Sequence, residues 1–410
     1  MRHAALALAL ALAACDGSPA AGPPAAVDPA LRAQVERSTG WTFKSDPVFE
    51  TIDRAELLRK LEAKLQGEAG RRTAAAGRAL RALGVLPKGY DLLAGLKKTY
   101  GEEILALYDL QDRRIYLVRE ALEKPPAPED LQLRKAGKPT MRDVTIAHEM
   151  VHALQHQHDP RLDLLEDTHP DFDDLRVALH ALAEGEATLH MYALLGPASA
   201  DLIARSIEEQ GAGKFPGEPA LLRRLLFFPY AAGTRFAGAR AGNGPALHAA
   251  PPLSTEEVLH PERTAAKDPP LSVRVADLSE QVGGGRTLSY EAVLGEAFLS
   301  LIVPDGSPGL ASGFDGTTLS WGGDRLHLYE REGAEPVVVV VTRWDSPSAA
   351  AEARLRLGRK EGWAAVHDGT GVAFVVGLPP DAGRSVARVA LERAVVTPFS
   401  SIDELRALRR

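Results

Sequence analysis

The residues with the plainest chemistry are His148, Glu149 and His152, an H-E-x-x-H sequence within VTIAHEMVHALQ. Side chains four residues apart on an α-helix share a face, one turn above the other. Two imidazoles so placed can each give a nitrogen to one tetrahedral zinc ion. The glutamate beside the first histidine then stands next to the metal's open position. There it can take a proton from bound water and return it to a leaving amine. In a chain with 12 histidines the pattern arises by chance roughly 2% of the time, so its surroundings matter. Val144, Ala147, Val151 and Leu154 supply an apolar helical face, and Asp143 or Thr145 can cap the helix start after Pro139. A buried helix carrying two histidines and a glutamate needs a partner for those groups, and a metal ion is the simplest one.

A zinc site with one open position needs a third protein ligand. His158 would need a turn at Gln155, because a continuing helix carries it about 240° off the metal face. His156 keeps the face but lies eight residues from His148, about 12 Å of helix rise. Glu184 and Glu186 remain, in VALHALAEGEATLHMYALL. Here Val177, Ala178, Leu182, Leu189 and Ala193 predict a second long helix packed on the first. The two acids lie about 200° apart around it, so one alone can face the metal. Periodicity leaves that choice open.

Together these segments resemble the gluzincins, zinc peptidases with two histidines from H-E-x-x-H and a glutamate from a later helix. Aminopeptidases of that group carry the glutamate in an N-E-G-F-A-like stretch, and prenyl-protein peptidases carry it in E-x-x-A-D. On either pattern the resemblance implies Glu184 as the ligand, with Glu186 in reserve. Thr188 stands where the second pattern has aspartate. LYDLQDRRIYLV, FFPYAAGTRFA, PPLSTEEVLHPER and SWGGDRLHLYE are similar to segments of bacterial secreted or lipid-anchored H-E-x-x-H proteins with an L-x-E-G-E-A helix. That similarity covers most of the mature chain. The typical zinc helix of those proteins reads H-A-L-Q-D-Q-H, and His156 replaces its aspartate. The resemblance implies a peptidase-like site with Zn2+ as cofactor, without fixing a substrate. Tyr230 in FFPYAAG and His260 in EVLHPER are candidate stabilisers of the developing oxyanion. His180 and His190 are candidate partners of Glu184, with His180 favoured because it lies one turn before Glu184 on the same face.

Arg2 and His3 precede an apolar run over residues 4–14 that ends in Leu12-Ala13-Ala14-Cys15. Residues 1–14 read as a lipoprotein signal peptide, too short to span a bilayer stably, with Cys15 at the acylated position of a bacterial lipobox. Cys15 is the only cysteine, so it forms no internal disulfide. The expected location is the bacterial cell envelope, with the membrane reached through the lipid anchor and a flexible Ala/Pro/Gly tether over residues 15–30. A net charge of −7 with interspersed signs gives no sign of nucleic-acid binding. The 45% apolar content suffices for a sizeable core.

The expected fold class is α+β. A mainly helical zincin-like metallopeptidase domain covers residues 31–268, with a β-hairpin before the zinc helix, and a small α+β domain covers residues 269–410. Helices are expected over 55–65, 71–83, 200–210 and 221–240. The runs at 104–108 and 114–118 predict the hairpin, whose free edge could hold an extended peptide. Residues 123–138 and 241–252 read as a loop and a linker. In the second domain strands are expected over 325–330, 336–342 and 371–377, and helices over 290–302, 348–359 and 383–394. Trp321-Gly322-Gly323-Asp324-Arg325 reads as a tight turn entering a strand. The function expected from all this is zinc-dependent hydrolysis of a peptide or protein substrate, with Glu149 as general base. The alternative is a non-catalytic envelope lipoprotein that uses a zincin-like fold as a binding module.

Overall fold

The computed structural model describes residues 29–240, 243–303 and 320–409. The expected signal peptide, Cys15 and the tether up to residue 28 lie outside the described residues. The N-terminal half is mostly helical: α1 (Pro29–Thr39), α2 (Arg54–Lys64), α3 (Glu68–Ala82), α4 (Leu92–Glu103), α5 (Met141–His158), α6 (Asp173–Leu195), α7 (Ala200–Gly213) and α8 (Ala220–Ala239). Strands β1 (Val48–Ile52), β2 (Ala106–Asp109) and β3 (Arg114–Val118) make one small sheet in the order β1-β3-β2. β2 and β3 form the expected hairpin, with Arg113 at φ 53 in its turn. β1 pairs in parallel with the other side of β3, which leaves β2 as a free edge.

α5 starts at a reciprocal cap. The Thr140 hydroxyl accepts from the Asp143 N–H, and the Asp143 carboxylate accepts from the Thr140 N–H at 2.8 Å. Neither Asp143 nor Thr145 is the capping residue; Thr145 bonds back to the Met141 carbonyl at 2.8 Å. Ala147, Met150, Val151 and Leu154 seat the helix against α1 and the hairpin. α6 runs for 23 residues and is buried on nearly every side. Ala178 and Leu182 meet α8, Leu175 and Leu179 meet the C-terminal tail, and Met191 and Tyr192 meet α7. The crossing of α6 and α8 is close because glycines meet there. A Cβ on Gly185 would lie 2.0 Å from the Gly233 carbonyl carbon, and one on Gly233 would lie 1.9 Å from the Ala181 oxygen.

The second half contains β4 (Leu271–Arg274), β5 (Thr287–Ala292), α9 (Gly295–Ile302), β6 (Trp321–Glu330), β7 (Val337–Trp344), α10 (Pro347–Leu357), β8 (Trp363–Asp368), β9 (Gly371–Val376), α11 (Pro380–Glu392) and β10 (Val395–Pro398). Its antiparallel sheet has the order β5-β6-β7-β9-β8, and β10 pairs with β4. The α+β class is therefore observed. Within it, the expected helix at 290–302 is shorter, because Tyr290 belongs to β5. Trp321–Arg325 is not a turn but the buried start of β6, bulged between Trp321 and Gly323. A Cβ on Gly323 would lie 2.2 Å from the Leu271 carbonyl oxygen, so this glycine answers a close backbone approach. The expected loop and linker each hold a short helix, Pro128–Lys135 and Gly244–Ala249. The two halves share cores: Ala79 and Leu83 pack with Leu299, Leu328 and Phe374, while Phe399, Ile402 and Leu405 pack on α6. Among the described residues no helix is long and apolar enough to cross a membrane.

Candidate metal centre

α5 and α6 pack so that His148, His152 and Glu184 converge. Glu184 Oε2 lies 3.0 Å from His148 Nε2 and 3.4 Å from His152 Nε2, and the two imidazole nitrogens are 3.1 Å apart. Ligands at zinc–nitrogen and zinc–oxygen bond lengths on a tetrahedron stand about 3.3 Å from one another. The three donors thus already form one face of such a tetrahedron, and their chemistry, two imidazoles and a carboxylate, suits zinc. Glu184 and not Glu186 reaches the histidines. Helix arithmetic holds for the other two candidates. His156 lies between the Tyr108 hydroxyl and Asp163, each at 2.8 Å. His158 stacks on Trp41 with centroids 5.1 Å apart.

Burial pushes the Glu184 carboxyl up, but His152, His148 and His180 outweigh it and hold it well below the usual carboxylate range. Burial pulls His152 down, yet Glu184 and Glu149 drive its imidazole up to about 9. The cluster therefore favours a positive charge among its three donors, which a proton or a divalent cation can supply.

Glu149 stands beside the cluster and does not join it. Its Oε2 accepts the Tyr108 N–H at 2.7 Å, and burial raises its carboxyl against the pull of His148 and His152. The Tyr230 ring lies nearly parallel to that of His148, with centroids 6.3 Å apart and planes at 23°. The glycine crossing of α6 and α8 sets that approach, since Tyr230 precedes Gly233 by about one turn. His180 Nε2 lies 3.2 Å from Glu184 Oε1, as its place one turn earlier required. His190 turns instead to Ser38, with Nδ1 at 2.6 Å from the hydroxyl. His260 is not brought to the cluster. Its buried ring meets Glu296 at 3.1 Å, and it does not line the cavity described next.

That cavity, of about 420 Å³, opens on the cluster. Glu149, His180, Tyr230 and β2 line it, with Leu105, Leu107, Leu162, Met191, Phe215 and Leu226 among its apolar walls. The register of the hairpin decides what β2 offers. The Val118 N–H donates to the Leu105 carbonyl at 2.9 Å. In an antiparallel pair, alternate residues face the partner strand. The backbone groups of Leu107 and Asp109 thus face β3, and those of Ala106 and Tyr108 face the opposite side. The Tyr108 N–H reaching Glu149 agrees with this.

Three residues of the site escaped the sequence reading. Tyr108 carries no sequence signal beyond its place in the hairpin, yet its N–H holds Glu149. Gln155, the position at which a turn toward His158 would have to fall, lies behind His152. His248, in the expected linker, is 4% exposed and joins the same buried network as Gln155.

Residues 286–409 match the model of a family described as a domain of unknown function, DUF8575. The match covers β5 onward and leaves α5 and α6 outside it. No match was found among curated proteins or among solved structures.

Proposed function

We propose that the chain is a zinc-dependent peptidase, held at the bacterial cell envelope by a lipidated Cys15. The observation that carries this reading is the convergence of His148, His152 and Glu184 at tetrahedral spacing, with Glu149 beside them at the wall of a large cavity. His148, His152 and Glu184 would hold the ion, which when bound supplies a Lewis acid that polarises a carbonyl and makes water a better nucleophile near neutral pH. Glu149 takes the proton of the attacking water and later delivers it to the amine nitrogen. A C–O bond forms, the C–N bond breaks, and the carboxyl ends in its starting state. Its raised affinity for a proton suits a group that must both accept and release one. With the Tyr108 N–H taken by Glu149, the free edge offers the Ala106 N–H and carbonyl and the Tyr108 carbonyl to an extended peptide. The apolar walls favour large aliphatic or aromatic side chains near the cleaved bond. Tyr230, whose ring lies beside that of His148 in the cavity wall, is the candidate donor to the developing oxyanion.

The test is Glu149→Gln, which keeps shape and hydrogen bonding but removes the base. On a casein digest or peptide library that wild type cleaves, hydrolysis should fall at least ~100-fold. Zinc content and melting temperature should stay near wild type. Equal cleavage by the variant would overturn the mechanism. A wild type that binds zinc but cleaves nothing across broad libraries and pH would favour the binding-module alternative.

A further inference from the structure

Behind His152 runs a buried hydrogen-bonded chain that the proposed chemistry does not use. His152 Nδ1 lies 2.8 Å from Gln155 Oε1. Gln155 Nε2 donates to the Ala183 carbonyl at 2.9 Å and to Glu186 Oε2 at 2.7 Å. Glu186 Oε2 also meets His248 Nε2 at 2.9 Å, and His248 Nδ1 meets Asp159 at 2.7 Å. Arg161 binds both oxygens of that aspartate, at 2.6 and 2.9 Å. On its other side, Glu186 Oε1 lies 3.6 Å from His190 Nε2. Gln155 and Glu186 are both fully buried.

The chemistry of an amide makes this chain directional. Gln155 has one end that only donates and one that only accepts. The donating end faces a carbonyl and a carboxylate; the reversed orientation would set the amide oxygen against two other oxygens. Its oxygen is therefore committed to His152, which must present an N–H at Nδ1. A neutral imidazole carries one N–H, so the lone pair falls on Nε2, the atom that faces His148 and Glu184. Glu186, two residues from Glu184 and turned to the far side of α6, thus decides indirectly which nitrogen of His152 can bind a metal.

We propose that Gln155 and Glu186 are positioning residues that lock His152 in the Nδ1–H form with Nε2 aimed at the metal, and that His248 in turn anchors Glu186. This rests on the metal half of the reading above and is independent of whether the site cleaves peptides. Partners that orient a ligating histidine typically account for 10–100-fold in metal affinity.

The test is zinc affinity by chelator competition on the soluble chain from Asp16 onward, with apo-protein melting as a fold control. Gln155→Met and Glu186→Ala should each weaken zinc about 10–100-fold. The double variant should be no weaker than Gln155→Met alone, because Glu186 acts through Gln155. Glu186→Gln, which keeps an acceptor oxygen for the amide, should retain affinity within about threefold of wild type. It also keeps the question open to test if Glu186→Ala does not fold. Wild type that binds zinc beside variants of equal affinity would overturn this proposal and leave the metal centre standing. So would losses that multiply in the double variant. A wild type that binds no zinc would overturn both.

Discussion

Among the described residues, two places bring three metal-capable side chains together, His148, His152 and Glu184 in one and Glu256, Asp268 and Asp345 in the other, each with donor atoms within 4.8 Å. They differ in where the balancing charge comes from. In the acidic cluster Arg263 Nη1 reaches Glu256 at 2.6 Å, Asp345 at 3.1 Å and Asp268 at 3.6 Å, so the cation is part of the chain. Even so, burial and the carboxylates of Glu296 and Asp345 push Glu256 up to about 9. At the histidine cluster no lysine or arginine is among the described residues that line the cavity, and the donors stand on two long helices locked by packing. Convergent carboxylates alone can be a solved charge problem. A ligand site leaves part of the charge for a ligand to bring.

Arg263→Met is the harshest way to probe that contrast. It removes the built-in cation from a group in which Glu256, raised to about 9, is already neutral at pH 7, so the loss falls on the charge-assisted contacts to Asp345 and Asp268 and should be on the order of 2 kcal/mol. Calcium should then recover part of the melting temperature in the variant and do little for wild type. Equal melting of variant and wild type would mean that Arg263 does not balance the acidic cluster.

A smaller effect sharpens the same contrast within α6. Glu184 is held ionised by imidazoles, whereas Asp174, near the start of that helix, is met among the described residues by the neutral Thr255 hydroxyl at 2.6 Å and N–H at 3.1 Å. Burial pushes Asp174 from 3.8 up to about 7. A carboxyl with a raised folded-state pKa favours folding fully below its unfolded value, and that stability is lost as pH rises through the folded value. Its contribution should therefore decline between about pH 4 and 7. Asp174→Asn should flatten this part of the stability–pH curve in urea titrations and stabilise the protein above pH 7. A curve of unchanged slope would show that Asp174 is ionised in the folded protein across that range.

How much of this was legible in the sequence depended on the range over which each residue acts. The pairing of His148 with His152 is set by four residues of helix, and the hairpin by two apolar runs and a polar turn, so both were readable. The choice between Glu184 and Glu186 was not readable from periodicity, because α6 is buried on nearly all sides and both acids are inside. The resemblance to gluzincins decided it. His248 reads as part of a linker because its helix is short and mostly alanine, proline and glycine. Gly322-Gly323 read as a turn because nothing local reveals that Leu271, about 50 residues earlier, presses on that backbone. His260 stands in a segment similar to those of the resembled proteins, and its partner Glu296 lies in a helix whose packing no local pattern shows.

The central claim is that His148, His152 and Glu184 form a zinc site, and metal analysis tests it most directly. Purified soluble protein, its Glu184→Ala variant and its His158→Ala variant should be measured side by side for bound zinc after dialysis. Wild type and His158→Ala should hold about one zinc per chain, as a three-ligand site with one open position does. Glu184→Ala should hold little. Zinc retained in Glu184→Ala and lost in His158→Ala would contradict the account.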